Sequence, residues 1–383
     1  MDKVRIGIAG VGGMGSFHAS YLLEGQIKDV ELTAVCDIDP AKLTRFANLK
    51  TFTSSAEMIR SGEIDLILVA TPHYDHTTIG IDALEQGLHV IVEKPISVHK
   101  ADAEKLIAAH TNPKQIFAAM FNQRTDGKYI KAREVIKNGE LGKITRVNWI
   151  ITNWFRTEAY YASGGWRATW AGEGGGVLMN QCPHNLDLLQ WIVGMMPNKM
   201  RAFCQFGQWH NIEVEDQVTA YFEYENGATG VFITTTGEAP GTNRLEIVGE
   251  RGKLVIDNDL KFSRTESSVS EFCKTSTEGF ASPGIWEINI PFKSGPAGQH
   301  QVITQNVVNA ILKDETLMSP AEEGIRGLEL CNAMLLSTFT DSTVSLPIDP
   351  VVYEKELKQR IATSTFKKEV KEIGPANMTD SFR

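Results

Sequence analysis

The sequence begins with an apolar run that ends in a glycine-rich turn, and this junction constrains the fold more than any other feature. The run Ile6–Ala9 leads into the spacing G-x-G-x-x-G, formed by Gly10, Gly12 and Gly15. In a strand-to-helix turn of this spacing, the first glycine permits the tight turn and the second lets the backbone approach a pyrophosphate, while the third lets helix and strand pack closely. Because the helix N-terminus attracts the anion, Gly13 and Met14 are further candidate phosphate contacts.

A second apolar segment and the acid after it support this interpretation. Val30–Cys36 is typical of a buried strand, and Asp37 follows it, 22 residues beyond Gly15. The acid that binds the ribose hydroxyls of a dinucleotide is expected at roughly 20 residues. A carboxylate here repels a 2′-phosphate, and no arginine follows it directly, so the pattern favours NAD over NADP. The alternative is that Asp37 only caps the next predicted helix, residues 40–48.

Length and composition indicate the class of protein. A chain of 383 residues is longer than a domain with one hydrophobic core usually is, so two domains are expected. The net charge of −9 argues against a nucleic-acid partner, and no apolar run is long enough to cross a membrane. The first strand starts within three residues of Met1, which leaves no room for a signal peptide, and the five scattered cysteines suit reduced thiols. These features predict a cytoplasmic protein without a metal.

Strand and helix patterns alternate through the first domain, which we place at residues 1–122. Near-continuous apolar strands separated by amphipathic helices predict an α/β domain whose parallel sheet is covered on both faces. Beyond the first two strands, the predicted elements are the strands Ile64–Ala70, His89–Val92 and Ile116–Met120 and the helices His76–Gln86 and Val98–His110.

The second domain, residues 123–383, has strands joined by short turns, which predict an α+β fold with an antiparallel sheet. Asn226-Gly227 and the segment 249–252 are typical of hairpin turns. We expect residues 263–278 on the surface, and residues 377–383 have little to bury. The predicted strands are Ile144–Asn153, Glu215–Tyr224, Thr229–Thr236, Arg244–Val248 and Lys253–Asp257, and the predicted helices are Gln301–Lys313 and Ala321–Thr340.

Polar residues follow two strands of the first domain, where ligands of open α/β sheets bind. Thr71, Pro72, His73 and His76 are therefore candidate cofactor contacts, although the histidines also suit an ordinary loop and first helical turn. The next strand ends in Glu93-Lys94-Pro95. A charged pair here costs free energy unless it is solvated, paired or used. We expect Glu93 near the cofactor and the Lys94 ammonium on a substrate hydroxyl; the alternative is an exposed strand-end pair.

These motifs together resemble one family. With Gly139-Glu-Leu-Gly142-Lys-Ile, Trp166-Arg167 and Gly174-Gly-Gly176…His184-x-x-Asp187, the chain is similar to the glucose–fructose oxidoreductase, inositol dehydrogenase and rhizopine-catabolism (Gfo/Idh/MocA) family. The resemblance implies a Rossmann domain followed by a domain with a large open antiparallel sheet. It also implies NAD(P)-dependent oxidation or reduction of sugars and polyols, and homo-oligomers that pack through that sheet.

The resemblance also assigns roles to residues. Lys94 matches the catalytic lysine and His184 the catalytic histidine, whereas Asn180 stands where the family commonly has aspartate. A spacing of four residues on a helix keeps Asn180 and His184 on one face. Since the carboxylate is lost, His184 is expected to depend on another acid, or Lys94 carries more of the proton work. Asp187 is a candidate to orient His184, with a helix-packing role as the alternative.

The remaining candidates concern the substrate. Trp166 and Arg167 suit a sugar, whose C–H faces stack on aromatic rings while its hydroxyls take hydrogen bonds. The alternative is that Trp166 packs in the domain interface and Arg167 pairs with Glu173. Arg124 also matches a family position at the domain junction, where a role in the cleft and a structural role are both open.

The sequence therefore predicts an NAD-dependent dehydrogenase or reductase of a sugar, glycoside or cyclic polyol. Hydride leaves a secondary carbinol, with C3 of a pyranose as the specific expectation, while His184 and Lys94 handle the proton. An inositol dehydrogenase and a keto-sugar reductase that keeps and recycles its NAD(H) are alternatives. A non-catalytic NAD-binding sensor or scaffold is another, supported by Asn180. A metal-dependent lyase lacks an H-x-H or H-E-x-x-H motif.

Overall fold

The computed structural model describes residues 2–293 and 298–371. Its first part is a six-stranded sheet in the order β3-β2-β1-β4-β5-β6, with every pair parallel. The elements are β1 (Val4–Ala9), α1 (Gly13–Leu23), β2 (Val30–Cys36), α2 (Pro40–Leu43), β3 (Lys50–Phe52), α3 (Ser55–Arg60), β4 (Leu66–Val69), α4 (His73–Glu85), β5 (His89–Val92), α5 (Lys100–Ala109) and β6 (Phe117–Ala119).

This order confirms the doubly wound Rossmann arrangement that the apolar strands predicted. All four residues of β4 are buried, because helices cover both faces of the sheet. The strand order reverses between β1 and β4, because β2 and β3 lie on one side of β1 whereas β4, β5 and β6 lie on the other. The carboxyl ends of β1 and β4 form the crevice in which such folds bind ligands. Helix α4 begins at His73 rather than at the predicted His76.

The second part is a nine-stranded sheet in the order β14-β13-β12-β11-β7-β10-β9-β8-β15. The elements are α6 (Gly127–Lys137), β7 (Ile144–Ile151), α7 (Glu158–Ala162), α8 (Pro183–Val193), β8 (Lys199–Phe206), β9 (Glu215–Glu223), β10 (Thr229–Thr235), β11 (Asn243–Gly249), β12 (Gly252–Ile256), β13 (Leu260–Thr265), α9 (Val269–Thr275), β14 (Ile285–Asn289), α10 (Gln299–Lys313), α11 (Gly324–Phe339), β15 (Val344–Ser345) and α12 (Pro350–Thr363). Short 3₁₀ helices span Thr44–Phe46, Asn122–Thr125 and Ala321–Glu323.

Both predicted hairpins are confirmed, but the sheet is not purely antiparallel. Strands β9 and β10 pair antiparallel through a turn in which Gly227 has φ +85°, and β11 pairs with β12 as far as Gly249 opposite Gly252. Strand β10, however, runs parallel to β7. The parallel pair is possible because a long connection with two helices and two further strands separates β7 from β10 in sequence.

Two other predictions differ in detail. The segment 263–278 is on the surface as expected, since α9 has no buried residue, but it begins inside β13. The helix predicted over 321–340 starts as a 3₁₀ turn and becomes α-helical at Gly324. Residues 377–383 lie outside the described residues.

Helix α10 packs on the first sheet although it comes late in the chain. Ile303, Val307 and Val308 join the hydrophobic core of β1 and α1. The hydroxyl of Thr304 in α10 lies 2.7 Å from that of Tyr21 in α1. This helix therefore belongs spatially with residues 1–122, and a division of the chain at residue 122 stays a prediction.

A buried carboxyl in the second sheet makes folding stability depend on pH. Glu215 in β9 is fully buried, and its Oε1 accepts the N–H groups of Gly176 (2.8 Å) and Leu178 (3.0 Å). Burial raises the pKa of Glu215 to about 8. Because this value lies above that of an unfolded glutamate, the folded protein holds more protons between about pH 4.5 and pH 8, so stability falls as pH rises through that window.

We expect Glu215→Gln to weaken this fall, since the amide cannot ionise. The free energy of unfolding, measured with urea from about pH 5 to pH 9, should decrease less for the variant than for the original chain. Glu223→Gln on the same strand, at an exposed position, is the matched control. An equal pH dependence in Glu215→Gln and the original chain would contradict the assignment.

Candidate active site

The glycine-rich turn has the geometry that its spacing predicted. Gly10 has φ +85°, and a Cβ at this residue would lie 2.8 Å from the carbonyl oxygen of Ala70. A Cβ at Gly15 would lie 1.8 Å from the carbonyl oxygen of Gly10, whereas a Cβ at Gly12 would have nothing within 4 Å. Packing therefore requires glycine at residues 10 and 15, whereas Gly12 faces open space where a ligand can approach.

Helix α1 opens directly onto this space. It begins at Gly13 and Met14, and no side chain caps its N-terminus, so its first N–H groups are available to an anion. The carboxylate of Asp37 accepts the N–H groups of Val11 and Asp39, both at 3.0 Å. The alternative that Asp37 only caps the next helix is wrong, because Asp39 provides that cap.

Of the residues that follow β4, one has a hydroxyl that can bond to a ligand and another bonds to the protein backbone. The hydroxyl of Thr71 is buried and has no hydrogen-bond partner within residues 2–293 and 298–371, so it can bond to a ligand. Pro72 precedes α4 as its N-cap. His76 is buried, and its ring nitrogens lie 2.8 Å from the carbonyl oxygen of Pro95 and 2.9 Å from that of Thr71. Both nitrogens contact backbone, which agrees with the alternative of an ordinary first helical turn, and the cofactor contact of His76 stays a prediction.

His73 joins the two parts of the molecule. It is buried, and its Nδ1 lies 3.2 Å from the carbonyl oxygen of Glu173. Its ring meets the ring of Trp166 edge to face at 5.4 Å. Burial lowers the pKa of His73 well below its ordinary value. This contact agrees with the interface alternative for Trp166.

Glu93 is buried, and both of its carboxylate oxygens have partners in the protein. Its Oε1 lies 2.7 Å from Nε2 of His18, whose Nδ1 lies 2.6 Å from the hydroxyl of Tyr21. Its Oε2 accepts the N–H of Lys94 at 3.1 Å. Burial opposes ionisation, but the hydrogen bond and charge of His18 outweigh it and lower the pKa of Glu93 to about 2. The exposed-pair alternative is therefore wrong, because this buried carboxylate anchors the backbone of Lys94, whereas the cofactor contact of Glu93 stays a prediction.

Lys94 reaches from the first sheet to the second part of the chain. The Lys94–Pro95 peptide bond is cis. The ammonium donates to the backbone carbonyl of Asn180 at 3.0 Å, and burial lowers the pKa of Lys94. Two ammonium hydrogens remain for other acceptors.

His184 lies in the first turn of α8 and is 4% exposed. Its Nδ1 is buried and has no hydrogen-bond partner in the part of the chain that the structure describes. Burial and the nearby charge of Lys94 lower the pKa of His184 well below its ordinary value. The imidazole is consequently neutral near pH 7 and can accept a proton.

Asp187 does not orient His184, contrary to the prediction. Its carboxylate accepts two hydrogen bonds from Arg124, at 2.7 Å from Nε and 2.6 Å from Nη2. The Nη1 of Arg124 donates to Glu323 at 2.5 Å. Every guanidinium nitrogen of Arg124 thus has a protein partner, so the structure supports its structural alternative and not the predicted substrate contact.

Asn180 precedes α8 in a series of turns. The spacing predicts that Asn180 and His184 share a helix, and this prediction is wrong. Its Nδ2 donates to Glu173, and its Oδ1 accepts the Tyr160 hydroxyl at 3.1 Å. Arg167 donates to that hydroxyl at 2.6 Å and lies 3.9 Å from Glu173. The predicted alternative for Arg167, pairing with Glu173, is therefore observed.

One feature of the site was missed by sequence reasoning. A cavity of about 150 Å³ lies beside the start of α8, where Asn185 follows His184. The buried oxygens Oδ1 of Asn122 and Asn153 have no hydrogen-bond partner among the described residues. The signal was weak because the lining is scattered in sequence. The cavity is lined by Asn122, Gln123, Asp126, Lys128, Tyr129, Ile151, Asn153, Trp154, Asn185, Asn243 and Gln299.

Two absences apply to residues 2–293 and 298–371. No cluster of three or more His, Cys, Asp or Glu side chains there has a metal-binding arrangement. No helix in those ranges combines the length and apolar character needed to span a bilayer.

Comparisons with known proteins show the family of this chain. Residues 4–121 match the model of an oxidoreductase family with an NAD-binding Rossmann fold, and residues 129–255 match the GFO/IDH/MocA C-terminal domain. The chain is 29% identical to the rhizopine catabolism protein MocA of Rhizobium meliloti over 53% of its own length and 61% of that protein. It is 25% identical to myo-inositol 2-dehydrogenase of Thermotoga maritima over 67% of this chain and 75% of that one.

A solved structure is similar over nearly the whole chain. The WlbA dehydrogenase from Chromobacterium violaceum, in complex with NADH and UDP-GlcNAcA, has a TM-score of 0.76 and 28% identity, covering 91% of this chain and 97% of that one. The two family models together span more than half of the sequence. The chain therefore belongs to the GFO/IDH/MocA family of NAD-binding oxidoreductases.

Proposed function

We propose that this chain is an NAD-dependent dehydrogenase or reductase of a sugar, glycoside or cyclic polyol, in which Lys94 and His184 handle the substrate proton. The observation that carries the proposal is the hydrogen bond from the Lys94 ammonium to the carbonyl of Asn180, which brings a cation from the first sheet to the segment that leads into α8 and its neutral His184. The charge of Lys94 lowers the pKa of His184, so the two groups share one electrostatic environment.

The cofactor site fits the dinucleotide. The open space at Gly12 and the uncapped start of α1 would hold the pyrophosphate, and Asp37 would accept the ribose hydroxyls. The unpartnered hydroxyl of Thr71 provides a further hydrogen bond at the end of β4. When bound, NAD supplies the hydride acceptor or donor.

The proton chemistry follows from the charges of two side chains. Oxidation of a secondary alcohol removes the hydroxyl proton as hydride leaves the carbon. A neutral His184 acts as general base for this proton, and the Lys94 ammonium donates to the same oxygen and stabilises its developing negative charge. Asn180 holds the ammonium in place through its backbone carbonyl.

The cavity lined in part by Asn185, the residue after His184, supports a polyhydroxylated substrate. A carboxamide offers both a donor and an acceptor, as a sugar hydroxyl does, and the cavity has six carboxamide side chains in its lining. Inositol and sugar derivatives occur in the names of relatives, namely myo-inositol 2-dehydrogenase and WlbA with UDP-GlcNAcA. Oxidation at C3 of a pyranose remains our specific proposal, with an inositol dehydrogenase or a nucleotide-recycling keto-sugar reductase as alternatives.

We also propose a homo-oligomer through the nine-stranded sheet. Phe203 on β8 and Tyr221 on β9 lie on neighbouring strands and are 60% and 43% exposed, and Ile150 on β7, beyond β10 in the same sheet, is 38% exposed. Large apolar side chains at this exposure on one sheet suit a protein interface.

A substrate panel tests the proposed activity. Purified protein mixed with NAD and a series of glucosides, hexoses and inositols should raise the absorbance of NADH with at least one compound. The reverse reaction, with NADH and keto-sugars, tests the reductase alternative. Protein that binds NADH but leaves both traces flat would favour the sensor or scaffold.

His184→Ala should lower kcat by about 10²- to 10⁴-fold, because the general base is lost. In the original chain, kcat/KM should decrease only below about pH 6.5, where His184 becomes protonated, since the pKa of His184 lies below its ordinary value. The pH–rate profile of the variant should lack this decrease. His110→Gln, a histidine paired with Glu322, is the control, and unchanged turnover in His184→Ala would remove His184 from the mechanism.

Asn153→Ala should raise KM for the sugar about 5- to 100-fold, the effect of a lost hydrogen bond of about 1–3 kcal/mol. NADH affinity, measured by fluorescence titration, should stay the same because the cavity is separate from the glycine-rich turn. Asn148→Ala, on β7 and outside the cavity, is the matched control. An unchanged KM in Asn153→Ala would exclude this cavity as the substrate site.

A further inference from the structure

We propose that Glu173 is a positioning residue that provides the carboxylate lacking at Asn180 and thereby fixes the geometry and charge around Lys94. This inference rests on the proposed function of Lys94. The loss of a carboxylate at position 180 raised the question of which acid acts in its place. Asp187 is ruled out because it is paired with Arg124.

Glu173 holds Asn180 in one orientation. The Glu173 side chain is 1% exposed, and its Oε1 accepts a hydrogen bond from Nδ2 of Asn180. Its Oε2 accepts the N–H of Ala168 at 2.5 Å. Because a carboxylate only accepts hydrogen bonds, it selects the amide nitrogen of Asn180 and leaves the amide oxygen on the opposite side.

A closed set of contacts stabilises this orientation. The Asn180 oxygen accepts the hydroxyl of Tyr160 at 3.1 Å, that hydroxyl accepts a hydrogen bond from Arg167 at 2.6 Å, and Arg167 lies 3.9 Å from Glu173. The four side chains therefore form a ring, in which removal of the acid leaves both Arg167 and the Asn180 amide without their carboxylate. The backbone carbonyl of Glu173 also contacts His73 of α4.

The ring acts on Lys94 in two ways. The carbonyl of Asn180 accepts the ammonium of Lys94 at 3.0 Å, so fixing Asn180 fixes the acceptor of the catalytic lysine. The negative charge of Glu173 also raises the pKa of Lys94, against the opposing effects of burial and two arginines.

Charged groups from several elements surround this carboxylate. The cations are Lys94 after β5, Arg156 and Arg167 near α7, and Lys368 after α12; the other acids are Glu93, directly before Lys94, and Glu215 in β9. Burial raises the pKa of Glu173, and Arg167, the Ala168 N–H, Asn180 and Lys368 oppose this rise. Beside Lys94, the charge of Glu173 adds to the larger effect of Glu93, and together they oppose the effect of the two arginines on the pKa of Lys94.

The test removes the carboxylate at residue 173 and then places one at residue 180. Glu173→Gln in the full chain should lower kcat about 10- to 100-fold, the range seen when partners that orient a functional group are lost. It should also move the basic limb of the pH–rate profile to lower pH, because Lys94 loses its proton more easily. The double variant Glu173→Gln with Asn180→Asp should recover most of kcat and return that limb towards its original pH.

A second measurement is independent of turnover. The pKa of Lys94 is obtained from the pH dependence of its acetylation by acetic anhydride, followed by mass spectrometry. The value should fall in Glu173→Gln and recover in the double variant, even if no sugar of the panel is oxidised. Glu213→Gln is the matched control, since Glu213 accepts the N–H of Trp170 outside the ring, and it should leave both readouts unchanged.

The outcomes separate this inference from the proposed function. An original chain inactive on every sugar, with the expected change in Lys94 acetylation, would contradict only the proposed function. A Glu173→Gln variant that is folded, with an unchanged Lys94 pKa and an unchanged pH–rate profile, would overturn the role of Glu173. A double variant no better than the single one, in both readouts, would also overturn it.

Discussion

The hydrogen bond from the Lys94 ammonium to the Asn180 carbonyl is the contact on which the site depends. It joins the end of β5 in the parallel sheet to the turns before α8, which pack on the second sheet. A buried ammonium is stable only with acceptors nearby, so the two parts of the molecule must meet correctly for Lys94 to remain charged. The placement of His184, four residues further along, follows from the same contact.

The buried acids around this contact each stabilise a different part of the site. Glu93 anchors the backbone of Lys94 through its own pairing with His18, whereas Asp187 and Arg124 connect the end of β6 to α8. Glu215 holds the glycine-rich segment before Asn180. Each of these carboxylates has a distinct partner, which leaves Glu173 as the acid that contacts the Asn180 side chain. At the position where the resemblance implies an aspartate, this chain has an amide that donates to the buried carboxylate of Glu173.

Prediction from sequence succeeded where neighbours in the chain decide the structure. Apolar periodicity located the parallel strands, and the hairpin at Asn226-Gly227 formed as its turn chemistry required. It failed where partners are distant. Asp187 was expected beside His184, but its partner lies 63 residues away, and the partner of Glu93 lies 75 residues away. A strand pattern carries no information about such partners, and the parallel pairing of β10 with β7 was missed for the same reason.

The sequence by itself determined the doubly wound domain and the glycine turn, and it supplied the candidates Asp37 for the ribose and Lys94 and His184 for the proposed proton chemistry. These follow from local rules: steric limits at glycine, burial of apolar faces, and motif spacing. Only the tertiary structure decided which charges pair, which amides line the cavity, and how an asparagine is held by a glutamate seven residues before it. Pairing energies depend on distance and burial, and both are set only when separate elements pack together.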